Sequence, residues 1–375
     1  MAFYGIDLHT DSFVSARMDL QVGISINKTS IKITKHYLQD ASFQQFKDSL
    51  TKEDYVIIEA CSNAFWFYDQ IIGLVKECYI LDVNKYNANN KKTDKIDGKK
   101  LAKKLAYYVI TNGDSDDLPL VYVPPKAVRE LRALFTTYQL NKKIITQFKN
   151  RIHSIFKENG FNLSKKQILN PENRTKLLEM PVNDIWKSQL KVLFAQLEMI
   201  EQETEKILQE IFQLGYRLFN NEITLLLSIK GFSPLTAIAL MSDVIDISRF
   251  PSVKKFCAYL RTAPKVKSSN DKTVIGSTNK FSRTLTCTLM SQSVEHFAQS
   301  CEHLETFYAR VKQGKKAGVY RMALIRKTLV CAYYMLKRNK LFYWTDKKLY
   351  NAKIREFNNI VNPKSNKKAP KKSVA

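Results

Sequence analysis

The chain has 375 residues, enough for more than one core. Hydrophobic residues make up 45% and aromatics 11%, which excludes wholesale disorder. Sixty Lys and Arg against 35 Asp and Glu leave a net charge of +25. Such an excess repels itself and a polyanion relieves it, so nucleic acid is the first candidate partner, ahead of an anionic membrane surface or a generally lysine-rich proteome.

No apolar run reaches the length of a bilayer span, so no membrane partner is expected. The opening MAFYGIDLHTD carries acids where a signal peptide needs an apolar stretch. Cys61, Cys78, Cys257, Cys287, Cys301 and Cys331 show no zinc-ligand spacing, and the histidines do not supply one. Reduced, mostly buried thiols in a cytoplasmic protein are therefore expected.

In chain order, strands are predicted over residues 3–8, 12–26 and 30–37, from alternating β-branched and apolar residues. A helix over 41–50 follows, then a buried strand over 55–61 (YVIIEAC), a helix over 63–76 and a strand over 78–83. The polar stretch NKYNANNKK leads into a basic amphipathic helix over about 93–110. Three strands, helix, strand, helix, strand, helix is the order of an RNase H-like fold, assigned to a domain over 1–112.

Residues 111–126 (TNGDSDDLPLVYVPPK) form a break with three prolines and an acidic cluster. Two long helices follow, over about 127–157 and 182–214. In the second, Leu190, Leu193, Leu197, Ile200, Ile207, Ile211 and Leu214 alternate three and four apart, with only Thr204 interrupting. This seam over 127–215 fits an intermolecular coiled coil or a helical hairpin packed on itself. From Glu222, ITLLLSIKGFSPLTAIALMSDVI reads as helix, Gly-containing turn and helix, the grammar of a helix-hairpin-helix that offers backbone N–H groups to phosphates. Residues 249–285 are expected to be α-rich with a polar loop. Helices over 282–298 and 320–337 complete a C-terminal helical domain over 220–345. The tail 362–375 (NPKSNKKAPKKSVA) carries five lysines and no acid, a basic disordered arm.

Some acids sit where acids are costly. Asp7 follows Ile6 in the first strand, and Glu59 ends the apolar run Val56-Ile57-Ile58. Asp94 and Asp97 are three apart at a helix start and share a face. Singly, each has a plain structural explanation: a turn cap, a buried ion pair, a helix-dipole partner. Jointly, on elements that converge at one edge of an RNase H-like fold, they predict a site for Mg2+, with Mn2+ as a substitute. Paired divalent ions held by hard carboxylate oxygens suit phosphodiester attack.

GID at 5–7, EA at 59–60 and KTDKID at 92–97 resemble the acidic motifs of the DEDD transposases, the Piv-type DNA invertases and their insertion-sequence relatives. KGFSPLTAIALMSDVIDISRFPSVKKFCAYL at 230–260 and APKVKSS at 263–269 are similar to that family's C-terminal transposase domain and its Pro-containing loop leading to a serine. The resemblance implies a RuvC-like (RNase H-like) domain binding Mg2+ through Asp7, Glu59, Asp94 and Asp97. It also implies a nucleophilic serine, Ser269 or alternatively Ser268, that forms a phosphoserine link to DNA. Many members are guided by a structured RNA, the bridge RNA, and assemble as dimers or tetramers so that the serine of one subunit joins the acids of another. The chain departs from the pattern after the serine, with Asn270-Asp271 where the family carries Gly-Gly, and with Arg261-Thr262 where Gly-Leu is usual.

Lys92, Lys95, Lys99 and Lys103 repeat three and four apart and form one helical stripe. With Lys91, Lys280 and Arg283 they make the candidate nucleic-acid-binding set, each lysine also compatible with a solvated surface. A second basic region, Arg321 to Lys340, is interleaved with tyrosines that fit either base stacking or helix packing. The expected function is an RNA-guided DNA recombinase acting on double-stranded DNA. The alternatives are a Mg2+-dependent nuclease or junction-resolvase-like enzyme using the acids alone, and a non-catalytic nucleic-acid-binding descendant of a transposase.

Overall fold

The computed structural model describes residues 1–20, 25–83, 98–113, 118–269, 272–278 and 285–362. The chain divides into two compact units, Met1–Pro124 and Pro125–Ala375.

The first unit is built on a five-stranded sheet: β1 (Ala2–Leu8), β2 (Ser12–Asp19), β3 (Ile31–Tyr37), β4 (Tyr55–Glu59) and β5 (Glu77–Leu81). The strand order is β3-β2-β1-β4-β5, antiparallel among the first three and parallel from β1 through β4 to β5. Helices α1 (Ala41–Asp48) and α2 (Ala64–Ile71) cover one face, where Tyr4, Ile6, Phe13, Val56 and Ile58 pack with Phe43, Phe46 and Phe67. Helix α3 (Gly98–Ile110) lies across β1, β2 and β4 on the other face, where Phe3, Met18, Tyr55 and Ile57 pack with Leu101, Ala102 and Leu105. With both faces covered, β1 and β4 are apolar but for Asp7 and Glu59, as buried parallel strands require. Residues 119–121 close the β5 edge, with Leu120 bridged to Leu81 and the Val121 N–H donating to the Ile80 carbonyl at 2.7 Å. The opposite edge, β3, is largely exposed and carries Lys32 and Lys35, charges that discourage pairing with another strand.

Several element ends differ from the sequence-based expectation. Strand β2 stops at Asp19 rather than at residue 26, and Ile26–Lys28 is a 3-10 turn. Helix α2 ends at Ile71 rather than 76, because Gly73 follows and the Lys76 N–H is drawn to the Asp54 carbonyl at 2.9 Å. The expected start of the basic helix, residues 93–97, lies outside the described residues.

In the second unit the long helices α4 (Lys126–Glu158) and α7 (Asp184–Leu227) pack on each other, linked by the short α5 (Lys165–Leu169) and α6 (Arg174–Glu179). Leu190, Leu197 and Ile211 of the heptad seam are buried within this one chain. The seam divides into two apolar clusters. The distal one gathers Ile145, Ile152, Phe156, Leu190 and Leu197, and the proximal one takes in Leu131, Phe135, Ile211 and Phe212. Between them on the two helices, Asn141 and Thr204 are both buried, and Thr204 satisfies its hydroxyl on the Ile200 carbonyl at 2.5 Å. Helix α7 does not break near 215–222 as expected. It continues to Leu227 through a kink at Phe219 (φ −141°, ψ 29°), because Phe219, Ile223, Leu226 and Leu227 are buried in the proximal core and hold the chain helical.

The remainder comprises α8 (Pro234–Val244), α9 (Val253–Tyr259), β6 (Pro264–Ser269), β7 (Lys272–Thr278), α10 (Leu285–Gln292), α11 (Val294–Ala298), α12 (Glu302–Lys312), α13 (Ala317–Arg338) and α14 (Lys347–Val361). The expectation of an α-rich 249–285 is corrected: β6 and β7 pair as an antiparallel hairpin. Val266, Thr273, Val274 and Ile275 are the β-branched signal, and a two-residue link separates the strands. The expected helix over 282–298 is described from Leu285 and is split at Ser293. Helices α12 and α14 have no counterpart in the sequence-based expectation. Residues 363–375, the body of the expected basic arm, lie outside the described residues. Among the described residues no helix is long and apolar enough to cross a membrane. All six cysteines are free thiols, with Cys78, Cys257 and Cys287 buried.

Candidate functional site

Strand alternation decides which way the two strand acids face. Phe3 of β1 packs on the α3 face, and Tyr4, Ile6 and Leu8 pack on the opposite one. Asp7 shares parity with Phe3, as Glu59 does with Tyr55 and Ile57. Both carboxylates therefore lie on the α3 side, at the carboxyl ends of adjacent parallel strands. The register Ile6↔Ile58 makes Glu59 the lateral neighbour of Asp7, about 4.8 Å away by strand spacing.

Glycine brings the helix in. A Cβ on Gly5 would sit 2.1 Å from the Gly98 carbonyl oxygen and 2.7 Å from the Ala102 nitrogen. Only a residue without a side chain lets the first turn of α3 lie against β1 two residues from Asp7. The loops after β1 and β4 are tied together as well, by Asn63 Nδ2 donating to the His9 carbonyl at 2.9 Å.

The electrostatics of the pair are unbalanced. Glu59 Oε1 is buried and has no hydrogen-bond partner among the described residues. Burial, followed by the charge of Asp7, pushes the Glu59 carboxyl up to about 7. His9 Nε2 approaches Asp7 Oδ2 at 3.5 Å, with both side chains substantially exposed, so it offsets little of this. A desolvated carboxylate beside a second carboxylate, with one oxygen unmatched, is an arrangement that a hard cation relieves. The described residues contain no group of three or more potential metal ligands. Of the four expected acids, Asp7 and Glu59 are brought together, and Asp94 and Asp97 lie outside the described residues. The sequence analysis took Gly5 only as part of the GID motif and passed over Gly98, His9 and Asn63. A glycine inside an otherwise apolar strand was the available signal of the close approach at Gly5.

Lys99, Lys100 and Lys103 line a groove of about 390 Å³ with Thr29 and Ile31. Lys99 and Lys103 are the described part of the expected stripe. Lys91, Lys92, Lys95, Lys280 and Arg283 lie outside the described residues.

In the second unit, Ser268 and Ser269 end β6, with their backbones in register with Thr273 and Lys272. The serine pair thus stands at the tip end of a hairpin. The expected helix, Gly-containing turn and helix are present, as the end of α7, residues 228–233 and α8. Gly231 is needed because a Cβ there would lie 2.4 Å from the Phe297 ring. The carbonyls of this turn converge on a cation from the chain itself: Lys353 Nζ on α14 donates to Ile229, Lys230 and Phe232 at 2.8 Å each and to Leu227 at 3.2 Å. Burial pushes the Lys353 ammonium down to about 8, while its three N–H groups are shared among these carbonyl oxygens. At the other end of α8, Asp243 is buried and accepts from Thr286 Oγ1 at 2.7 Å, and Arg132 Nε donates to the Ser242 carbonyl at 2.8 Å. Ile245 then turns the chain at φ 67°, ψ −63°, with the Asp246 N–H bonded to the Val244 carbonyl at 2.8 Å, a strained γ-turn for a β-branched residue.

The segment from late α7 to α12 is where a family likeness falls. No curated protein matches the chain. Residues 223–309 match the sequence model of the transposase IS116/IS110/IS902 family, a match that supports a transposase or recombinase role.

Proposed function

We propose that the protein is a site-specific DNA recombinase of the insertion-sequence kind, guided by a structured RNA, with an RNase H-like acidic site and a serine nucleophile. The observation that carries this reading is the Asp7–Glu59 pair: two carboxylates side by side at the ends of parallel β1 and β4, one with a buried, unmatched oxygen. The strand order β3-β2-β1-β4-β5, with α3 brought against β1 at Gly5, agrees with the RNase H-like expectation.

Asp7 and Glu59, with Asp94 and Asp97, would hold Mg2+, which when bound polarises a phosphate and lowers the pKa of an attacking oxygen. Without an ion the paired carboxylates repel a phosphate; with one they would hold it at the carboxyl ends of the inner strands β1 and β4. Lys99 and Lys103 offer charge to the flanking backbone, the salt-dependent part of DNA affinity. Ser269, or Ser268 beside it, supplies an Oγ that bonds to phosphorus as the strand breaks, so the phosphodiester is conserved in a serine ester and can be rejoined. A nuclease using the acids alone is the second reading. Its support is Asn270-Asp271 after the serine pair, where the resemblance has Gly-Gly.

The test is strand cleavage and joining of the DNA flanking the gene, in Mg2+, with whatever RNA co-purifies sequenced alongside. Asp7→Ala and Glu59→Gln should each lower both activities by at least ~100-fold, the scale seen on disturbing metal-site residues. The double substitution Ser268→Ala with Ser269→Ala should abolish joining. If joining persists the serine role fails, if cleavage survives alone the nuclease reading takes over, and if the acid variants cut like wild type the metal site itself is wrong.

A further inference from the structure

The loop from Asn339 to Thr345, between α13 and α14, lies beyond the segment that matches the transposase family, and the acidic and serine sites do not use it. It carries the most exposed large hydrophobic side chain of the described residues. Tyr343 is 88% exposed, Trp344 46% and Leu341 46%. The loop around them is firmly held. Phe342 is buried, and its N–H donates to Ser228 Oγ at 2.9 Å. Asn339 closes α13 in the left-handed region (φ 50°, ψ 49°) and accepts from Asn221 Nδ2 at 3.0 Å. Thr345 Oγ1 donates to the Phe342 carbonyl, and Asp346 caps α14 through the Leu349 N–H at 3.1 Å.

Trp344 is fixed from three sides. Its ring lies 5.1 Å from His303, 5.6 Å from Phe342 and 5.0 Å from Tyr343, the last edge-on at 81°. A rigid backbone thus holds an aromatic ring out in water. This is costly for a monomer and useful for binding, because little conformational entropy is left to lose.

The surroundings indicate the partner. Lys337, Arg338, Lys340, Lys347 and Lys348 are all exposed within twelve residues of sequence, and the one acid among them, Asp346, is the α14 cap. A second copy of the chain would bring the same cations face to face. A polyanion with flat apolar faces fits both features. We propose that Tyr343, backed by Trp344, is a stacking platform for an unpaired base of a nucleic acid strand, with the flanking lysines and Arg338 on its phosphates. The proposal rests on the nucleic-acid-directed function argued above and adds a binding site to it. Other tyrosines of the neighbouring basic region are accounted for by packing: Tyr333 is buried and donates to the Phe250 carbonyl at 3.1 Å.

The experiment uses the full chain and short single-stranded oligonucleotides containing 2-aminopurine, one set DNA and one set RNA, with a blunt duplex as reference. Wild type should quench the 2-aminopurine signal on binding. Tyr343→Ala should abolish the quenching and weaken single-strand affinity roughly tenfold, the scale of losing one stacked base, and leave duplex affinity and its salt dependence unchanged. Tyr343→Phe should retain both signals. The DNA and RNA sets show which strand supplies the base. Tyr343→Ala indistinguishable from wild type overturns the platform. A loss of self-association or of phosphatidylserine-vesicle binding in Tyr343→Ala, with nucleic-acid binding intact, also overturns it and assigns the loop elsewhere. Wild type binding duplex but no single strand defeats this proposal alone, and wild type binding neither defeats the nucleic-acid reading with it.

Discussion

Each unit of the molecule buries a charge, and the two are treated in opposite ways. In the first unit Glu59 is half-buried next to another carboxylate, one oxygen has no hydrogen-bond partner among the described residues, and its pKa is pushed up to about 7. In the second unit Lys353 is drawn out of water just as firmly, but four carbonyl oxygens surround its ammonium. Burying a charge costs several kcal/mol unless it is matched, so the matched ion serves as a structural tie. The unmatched one is where the proposed Mg2+ would bind. Asp243 falls with Lys353: it is buried, and Thr286 meets it.

The largest loss is expected at Lys353. Lys353→Met keeps the stem and removes the donors, leaving the turn carbonyls unmatched. We expect a loss of roughly 3 kcal/mol in unfolding free energy by urea titration, with the thermal shift on adding Mg2+ unchanged. A loss below about 1 kcal/mol would mean that Lys353 is no structural tie. The next largest effect is at Gly5. Gly5→Ala meets backbone atoms of α3, and Gly231→Ala meets the ring of Phe297, which is fully buried. Each should cost about 2–3 kcal/mol, but Gly5→Ala alone should weaken Mn2+ binding by calorimetry, because it displaces the start of α3. Intact Mn2+ binding in Gly5→Ala, or an equal loss in Gly231→Ala, would separate the glycine contact from the acidic site.

The smallest effect is the pH dependence of Glu59. Its folded pKa is raised above the ordinary 4.5, so between pH 4.5 and about 7 the folded, metal-free protein holds a proton that the unfolded chain has released. Stability from this group is complete below pH 4.5 and is lost as pH rises through 7. The loss is about 1–2 kcal/mol once partial exposure is allowed for. Urea titrations in EDTA at pH 5 and pH 8 measure it. Glu59→Gln should flatten the difference, and Mg2+ at pH 8 should restore stability to wild type only.

Much of the first unit was legible in the sequence. Alternation and apolar runs located all five strands, with β2 read too long, and the acids within β1 and β4 were conspicuous because neighbours such as Ile6 and Ile57 left no doubt that those strands were buried. The hairpin of β6 and β7 was not read, since its serines and lysines outweighed four β-branched residues whose pairing partners sit across the turn. Helix α7 was cut short for a similar reason. The apolar stretch after Phe219 looked like a new element, yet the core around it keeps the same helix going.

What the sequence determined by itself was local chemistry: a net positive charge that calls for a polyanion, strands of period two, a helical seam of period three and four, and carboxylates in apolar settings. Only folding shows which carboxylate lacks a partner, why residue 5 must be glycine, and that Lys353 serves carbonyls 121 to 126 positions away. The division follows from range. Propensity and periodicity act over a few residues and leave a mark in the string of letters. The matching of a buried charge depends on groups that only folding brings within hydrogen-bond distance, and nothing in the neighbouring letters records it.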